Sequence, residues 1–205
     1  MLKTIKYGFY VEDEVQVIFL ENILPQIISH LKLEDSYSFE KDSLYTSVVS
    51  LFPVNNGGRR KFDVTFKMFC EIGIINYEQD VFFLGRDLDK ATIYDLEKKI
   101  KEMQEHLGEF LESKVIIFLP TRCTEHWLRY IKELKKTENQ DLTQKFEEQR
   151  NDTVKKNVYG RKKRVEQAQY IHNLCQDIDI DALSQHAESF KHFVESIQIF
   201  LNRLN

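Results

Sequence analysis

The chain has 205 residues, enough for one well-filled core or for a core with a small appendage. Hydrophobic residues make up 42% and charged residues 30%, with seven glycines and three prolines, which is the composition of an ordinary globular protein and excludes collagenous and low-complexity classes. A formal net charge of −4 excludes a global pull toward polyanions, so any contact with nucleic acid must come from a local basic patch.

Residues 5–11 concentrate Ile, Tyr, Phe and Val and predict a first strand, which ends at Glu12. Phe19, Leu20, Ile23, Leu24, Ile27, Ile28 and Leu31 then recur at helical spacing. Glu12-Asp13-Glu14 open that helix, where acids suit the positive end of its dipole; Asp13 and Glu14 read equally well as acids that do nothing more. Residues 33–46 are polar and mixed, with strand character around Tyr37–Phe39. Val48–Val54 reads as a second core strand, closed by the turn Asn55-Asn56-Gly57-Gly58. Arg59, Arg60 and Lys61 follow and lead into a predicted helix from about Phe62 to Ile72. Beside a Gly-Gly turn these cations can approach a phosphate, although no GxxxxGK[ST] motif is present and a solvated loop is the plainer alternative.

Val81–Arg86 is an apolar strand running into Asp87-Leu88-Asp89. An amphipathic helix follows, with Ile93, Leu96, Ile100, Met103, Leu107 and Phe110 on one face and Thr92 with Asp95 as its capping pair. Val115–Leu119 predicts a third buried strand that stops at Pro120. Strand and helix thus alternate through residues 1–120, the pattern of parallel βαβ units with right-handed crossovers, and the expected fold class is α/β. Beyond residue 120 the pattern turns helical. Cys123, Trp127, Tyr130, Ile131 and Leu134 form one apolar face, with Trp127 read as core. A charged stretch over 135–156 reads as loop or exposed helix. Two closing helices are marked by Val165, Ala168, Ile171 and Leu174, and by Phe190, Phe193, Val194, Ile197, Leu201 and Leu204, with Ser189 as the cap of the last. Residues 121–205 are therefore expected to be a helical extension packed on the same core.

In such a sheet, Glu12 and the Asp87/Asp89 pair leave the C-terminal ends of parallel strands, where open α/β sheets place their ligands. Clustered carboxylates repel one another, and a hard divalent cation, Mg2+ or Mn2+, is expected among them. Glu125, a few residues past the third strand, reads as an added ligand or as a buried acid paired with Arg122 or a lysine. Lys155, Lys156, Arg161, Lys162, Lys163 and Arg164 place six cations in ten residues without an acid. This strip reads as a phosphate grip with Tyr159 free to stack on a base, or as a solvated helix face; Lys156 is also placed to stabilise a transition state.

Three scattered cysteines, Cys70, Cys123 and Cys175, lack CxxC spacing, which argues against a disulfide framework and for a reducing cytoplasmic setting. The six histidines share no zinc-ligand spacing, and no GxSxG or Cys/His signature points to a covalent nucleophile. The N-terminus shows no signal pattern, and no apolar run approaches the roughly 18 residues of a membrane helix.

Val11-Glu12 at the end of strand one, Phe19-Leu20 on the next helix and Asp87-Leu88-Asp89 after a core strand together resemble the Toprim superfamily of topoisomerases, primases and OLD-type nucleases. Arg122–Leu128, Lys155-Lys156 before Tyr159-Gly160, and Ser189–Phe193 look like the small stand-alone Toprim proteins of bacteria and phage-defence loci. The resemblance implies a Toprim-like parallel sheet, Glu12 as general acid–base or metal-positioning residue, and Asp87 and Asp89 as Mg2+ ligands. It implies a nuclease acting on DNA or RNA, with a phage-defence role and, since the chain has no P-loop, an ATPase partner. The chain departs from the superfamily at Asp13, where glycine is usual, and this departure favours the other expectation, a non-catalytic Toprim-fold module that binds nucleic acid or a partner protein.

Overall fold

The computed structural model describes residues 2–48, 58–89, 92–136 and 145–204. Among the described residues five strands build the sheet: β1 (Lys3–Val11), β2 (Tyr37–Lys41), β3 (Ser47–Val48), β4 (Val81–Gly85) and β5 (Val115–Phe118). Every pairing is parallel, in the order β2-β1-β4-β5, with the short β3 beside the C-terminal end of β1. The expected α/β class with a parallel sheet is what the chain forms.

Pleating sorts the strand side chains into two cores. Ile5, Tyr7, Phe9 and Val11 join Val81, Phe83, Ile116 and Phe118 on one face. That face is covered by α1 (Glu14–His30), α5 (Thr124–Leu134), α6 (Asn151–Tyr159), α7 (Arg164–Leu174), α8 (Ile180–His186) and α9 (Glu188–Asn202). Tyr10, Phe82, Leu84 and Ile117 point the other way, against α2 (Gly58–Glu71), α3 (Ile93–Leu107) and the single turn α4 (Glu109–Glu112). Coverage on both faces explains why β4 reads as an unbroken apolar run.

The helices after residue 120 share the first core with β1 and α1. Phe19, Phe118, Trp127, Phe190 and Phe193 meet with ring centroids 5.0–6.4 Å apart, which ties α1, β5, α5 and α9 into one aromatic group. Offset and edge contacts of this kind add about 0.5–1.5 kcal/mol per pair beyond burial. Among the described residues no helix is long and apolar enough to cross a membrane.

Several local expectations are corrected. The helix expected through Phe110 breaks at Gly108, whose φ of 80° is a left-handed value, and Phe110 is 58% exposed. Thr92 does cap α3, accepting from the Asp95 N–H at 3.2 Å. On α7 only Ile171 and Leu174 of the expected face are buried, while Val165 is 89% exposed. Ser189 lies inside α9 rather than at its cap, which is Ala187; its buried hydroxyl accepts from Trp127 Nε1 at 2.9 Å and donates to Glu147 at 2.9 Å. The strand expected over Val48–Val54 is seen only at its start, and its remainder and the Asn55–Gly57 turn lie outside the described residues.

Candidate functional site

The chain winds outward from β1 in both directions: β2 and β3 lie on one side of it and β4 on the other, with α1 and α2 on opposite faces. The winding reverses at the C-terminal ends of β1 and β4, and such switch points hold the ligands of open α/β sheets. Glu12 follows β1 directly, and Asp87 lies two residues past β4.

Gly85 sits opposite Val11 in the register, and a Cβ there would stand 2.6 Å from the Phe118 ring, 2.9 Å from Val11 Cγ1 and 3.1 Å from Gln16 Oε1. Its missing side chain lets the fully buried Gln16 of α1 lie against the sheet end. Gln16 Oε1 accepts from the Glu12 N–H at 2.9 Å, and its Nε2 donates to Asp87 Oδ1 at 3.0 Å. Glu12 Oε2 accepts from the Asp87 N–H at 2.8 Å, so the two strand ends are cross-tied. Asp13 is the N-cap of α1, its Oδ1 accepting from the Gln16 N–H at 3.1 Å.

From the opposite side α5 presents its first turn. The Thr124 N–H and hydroxyl donate to Asp87 Oδ1 at 3.2 and 3.3 Å, which places the carboxylate at a helix N-terminus. Glu125, 3% exposed, follows; its Oε1 accepts from the Tyr159 hydroxyl at 3.1 Å and lies 3.5 Å from Lys155 Nζ, while its buried Oε2 has no hydrogen-bond partner. Asp87, Cys123 and Glu125, all buried, bring one ligand atom each to within 4.8 Å of the others.

The electrostatics follow from this crowding. Burial, then the charges of Glu125, Glu12 and Asp13, push the Asp87 carboxyl well above the usual carboxylate range against the opposing pull of Lys155. Burial likewise raises Asp13, with Glu125 and Glu12 adding to it and the Gln16 N–H working against it. Burial disfavours the charged form of Lys155, yet Glu125, Cys123, Asp87 and Asp13 outweigh it and raise the ammonium's pKa. Lys155 is thus the internal counter-charge of an acidic site.

The expected site residues divide. Glu12, Asp87 and Glu125 come together with Asp13. Asp89 does not join the three-atom group: it takes a left-handed backbone (φ 54°), donates its N–H to Arg122 O at 3.0 Å and accepts from Asn151 Nδ2 at 2.9 Å at the start of α6. Lys156 is exposed, whereas Lys155, expected on the nucleic-acid strip, reaches Glu125. Consecutive helical residues point about 100° apart, so one residue decides which lysine enters the site. Tyr159, four residues after Lys155, shares its face and is buried on Glu125, so it is not free to stack on a base. Arg122 does not pair with Glu125; its Nε donates to Glu147 O at 2.5 Å.

Arg161, Lys162, Lys163 and Arg164 are exposed where α6 passes into α7. Arg164 lies 3.5 Å from Glu14 at the start of α1, which puts this basic strip at the rim of the acidic site. Arg59 and Arg60 fall in the first turn of α2. Sequence reasoning missed Gln16, Thr124 and Cys123; the available signal was the Cys-Thr-Glu run at a strand-to-helix junction. No family model, no curated protein and no solved structure matches the chain.

Proposed function

We propose that the chain is a divalent-cation-dependent phosphodiesterase acting on DNA or RNA. One observation carries the reading: Glu12, Asp13, Asp87 and Glu125 crowd the switch point of a parallel sheet with Lys155 as their cation. Desolvated like charges are costly unless a cation neutralises them, and carboxylate oxygens are the donors that Mg2+ and Mn2+ take. The orphaned Glu125 Oε2 is a buried acceptor with a coordination position to spare. Asp87 and Glu125 would hold the ion, with Glu12 beside them; a bound divalent ion supplies a low-pKa water and neutralises charge on the phosphate.

The chain's own residues supply the rest. Glu12, half-buried and anchored through Oε2 to the Asp87 N–H, keeps its other oxygen for the water's proton. Lys155 is held toward the phosphate position by Glu125 and stabilises negative charge there. Arg161, Lys162, Lys163 and Arg164 grip the backbone phosphates at the rim.

The test is cleavage of labelled DNA and RNA with Mg2+, Mn2+, Zn2+ or Co2+. Cleavage is expected to need the ion, to vanish in Asp87→Asn and to slow by about 10²–10⁴-fold in Glu12→Gln. Reversal of Lys162 and Lys163 to Glu is expected to weaken binding and flatten its salt dependence. Cleavage that survives in both carboxylate variants would overturn the assignment.

A second reading, a non-catalytic binding module, is favoured by Asp13 and Asp87 being engaged as cap and cross-tie within the fold. It predicts salt-sensitive binding by the wild type without cleavage under any of these ions.

A further inference from the structure

We infer that Cys123 is a ligand in this same site, making it a mixed oxygen–sulfur centre that selects a thiophilic divalent ion such as Zn2+ or Co2+ over Mg2+. The inference rests on the cation-site reading above and deepens it. Cys123 is fully buried directly after the β5 loop, and its Sγ belongs to the group within 4.8 Å that contains Asp87 and Glu125.

Cys123 Sγ lies 3.1 Å from Nδ1 of His126, which is 1% exposed and whose Nε2 lies 3.1 Å from Gln149 O. An imidazole protonated on Nε2 donates to Gln149 O and leaves Nδ1 as one acceptor for the thiol, and Glu125 is the thiol's other side-chain partner. The sulfur therefore sits between His126 and the carboxylates, on the side where Asp87 and Glu125 bring their oxygens.

A second observation is independent of the sulfur. Glu125 has a side chain only 4% exposed, and its Oε2 has no partner although Oε1 is taken by Tyr159 and Lys155. Two carboxylates and a sulfur then face one another with an unsatisfied buried oxygen among them, an arrangement a cation relieves.

The donor set discriminates among ions. Mg2+ takes oxygen and rejects sulfur, whereas Zn2+ binds Cys sulfur at about 2.3 Å and carboxylate oxygen at about 2.0–2.2 Å. Three protein ligands leave a fourth position for water, as in catalytic rather than structural zinc sites. Coordination turns the thiol into a thiolate, its proton passing to solvent.

The 205-residue protein, stripped with a chelator, would be titrated with Co2+ and followed by absorption. A stoichiometric thiolate-to-cobalt band in the near ultraviolet is expected, bleached by Zn2+ and untouched by excess Mg2+. Cys123→Ser and Cys123→Ala should abolish that band while retaining the visible cobalt bands, with Zn2+ affinity lowered at least about tenfold, and Asp87→Asn should weaken both sets of bands. Visible bands without the near-ultraviolet band in the wild type, or a band that persists in both Cys123 variants, would overturn the inference and leave the cation site standing. Absence of any Co2+ binding would overturn the cation site as well.

Discussion

At the scale of single residues, the site depends on side chains whose roles a linear reading cannot assign. Gln16 is one polar position among many on the first helix in the sequence, yet it is the amide that joins Glu12 to Asp87. A Gln16→Leu variant fills the space but leaves the Glu12 N–H without its acceptor and removes one of three donors from Asp87 Oδ1, and a cost of about 1–3 kcal/mol is expected as a lower urea midpoint at unchanged slope. Asp13 illustrates the opposite case. Read as a departure from glycine, it is in the fold a helix N-cap with an extended backbone (φ −148°), a conformation that does not require glycine. Its charge still counts in the site, because it raises the Asp87 carboxyl. Glu12, Asp87 and Glu125 were legible as strand-end and helix-start acids. Lys155 was not distinguishable from Lys156, since their separation by a helical rotation exists only once α6 is docked against α5.

At the scale of elements, the opposite face of the sheet is tied by charge. Arg86, just past β4, donates to Asp63 of α2 at 2.7 Å, and Lys99 of α3 lies 3.1 Å from the same oxygen. Burial raises the Asp63 carboxyl, but the hydrogen bond and charge of Arg86, followed by those of Lys99, outweigh it and hold the pKa below the ordinary carboxylate value. A folded pKa below the unfolded one contributes stability above the ordinary carboxylate range, and that contribution disappears as pH falls through the folded value. Asp63→Asn should therefore destabilise the protein near neutral pH, with the gap to wild type closing as acid is added; parallel denaturation curves at the two pH values measure it. A constant gap would show that shape, not charge, ties α2 to α3. Helix boundaries were legible where a cap was present, as at Thr92. They were missed at Gly108, where apolar spacing continues to Phe110 although the backbone turns.

Across the whole molecule, α9 closes the first core. Phe193 lies 6.2 Å from Phe83, 5.0 Å from Phe118 and 6.4 Å from Trp127, centroid to centroid. Phe193→Ala should cost about 3–5 kcal/mol, and because residues from both halves share that core, sheet and C-terminal helices should unfold in one transition. Two separated transitions in a thermal or urea scan would mean that residues 121–205 fold as a unit of their own.

Hydrophobic patterning alone was enough for the parallel α/β class, because strands buried on both faces must be apolar throughout and helices covering them must be apolar on one side. It also determined that acids stand at the ends of β1 and β4, since a strand leaving the core ends where charge can again be accommodated. Which groups make the site was settled by long-range packing. Asp87 meets Glu125 and Cys123 across 36 to 38 positions of chain because the first turn of α5 meets the segment after β4, and Lys155 with Tyr159 closes the far side because α6 packs on α5. Such contacts are set by packing of whole elements, whose hydrophobic pattern specifies the buried face but not the neighbour that buries it.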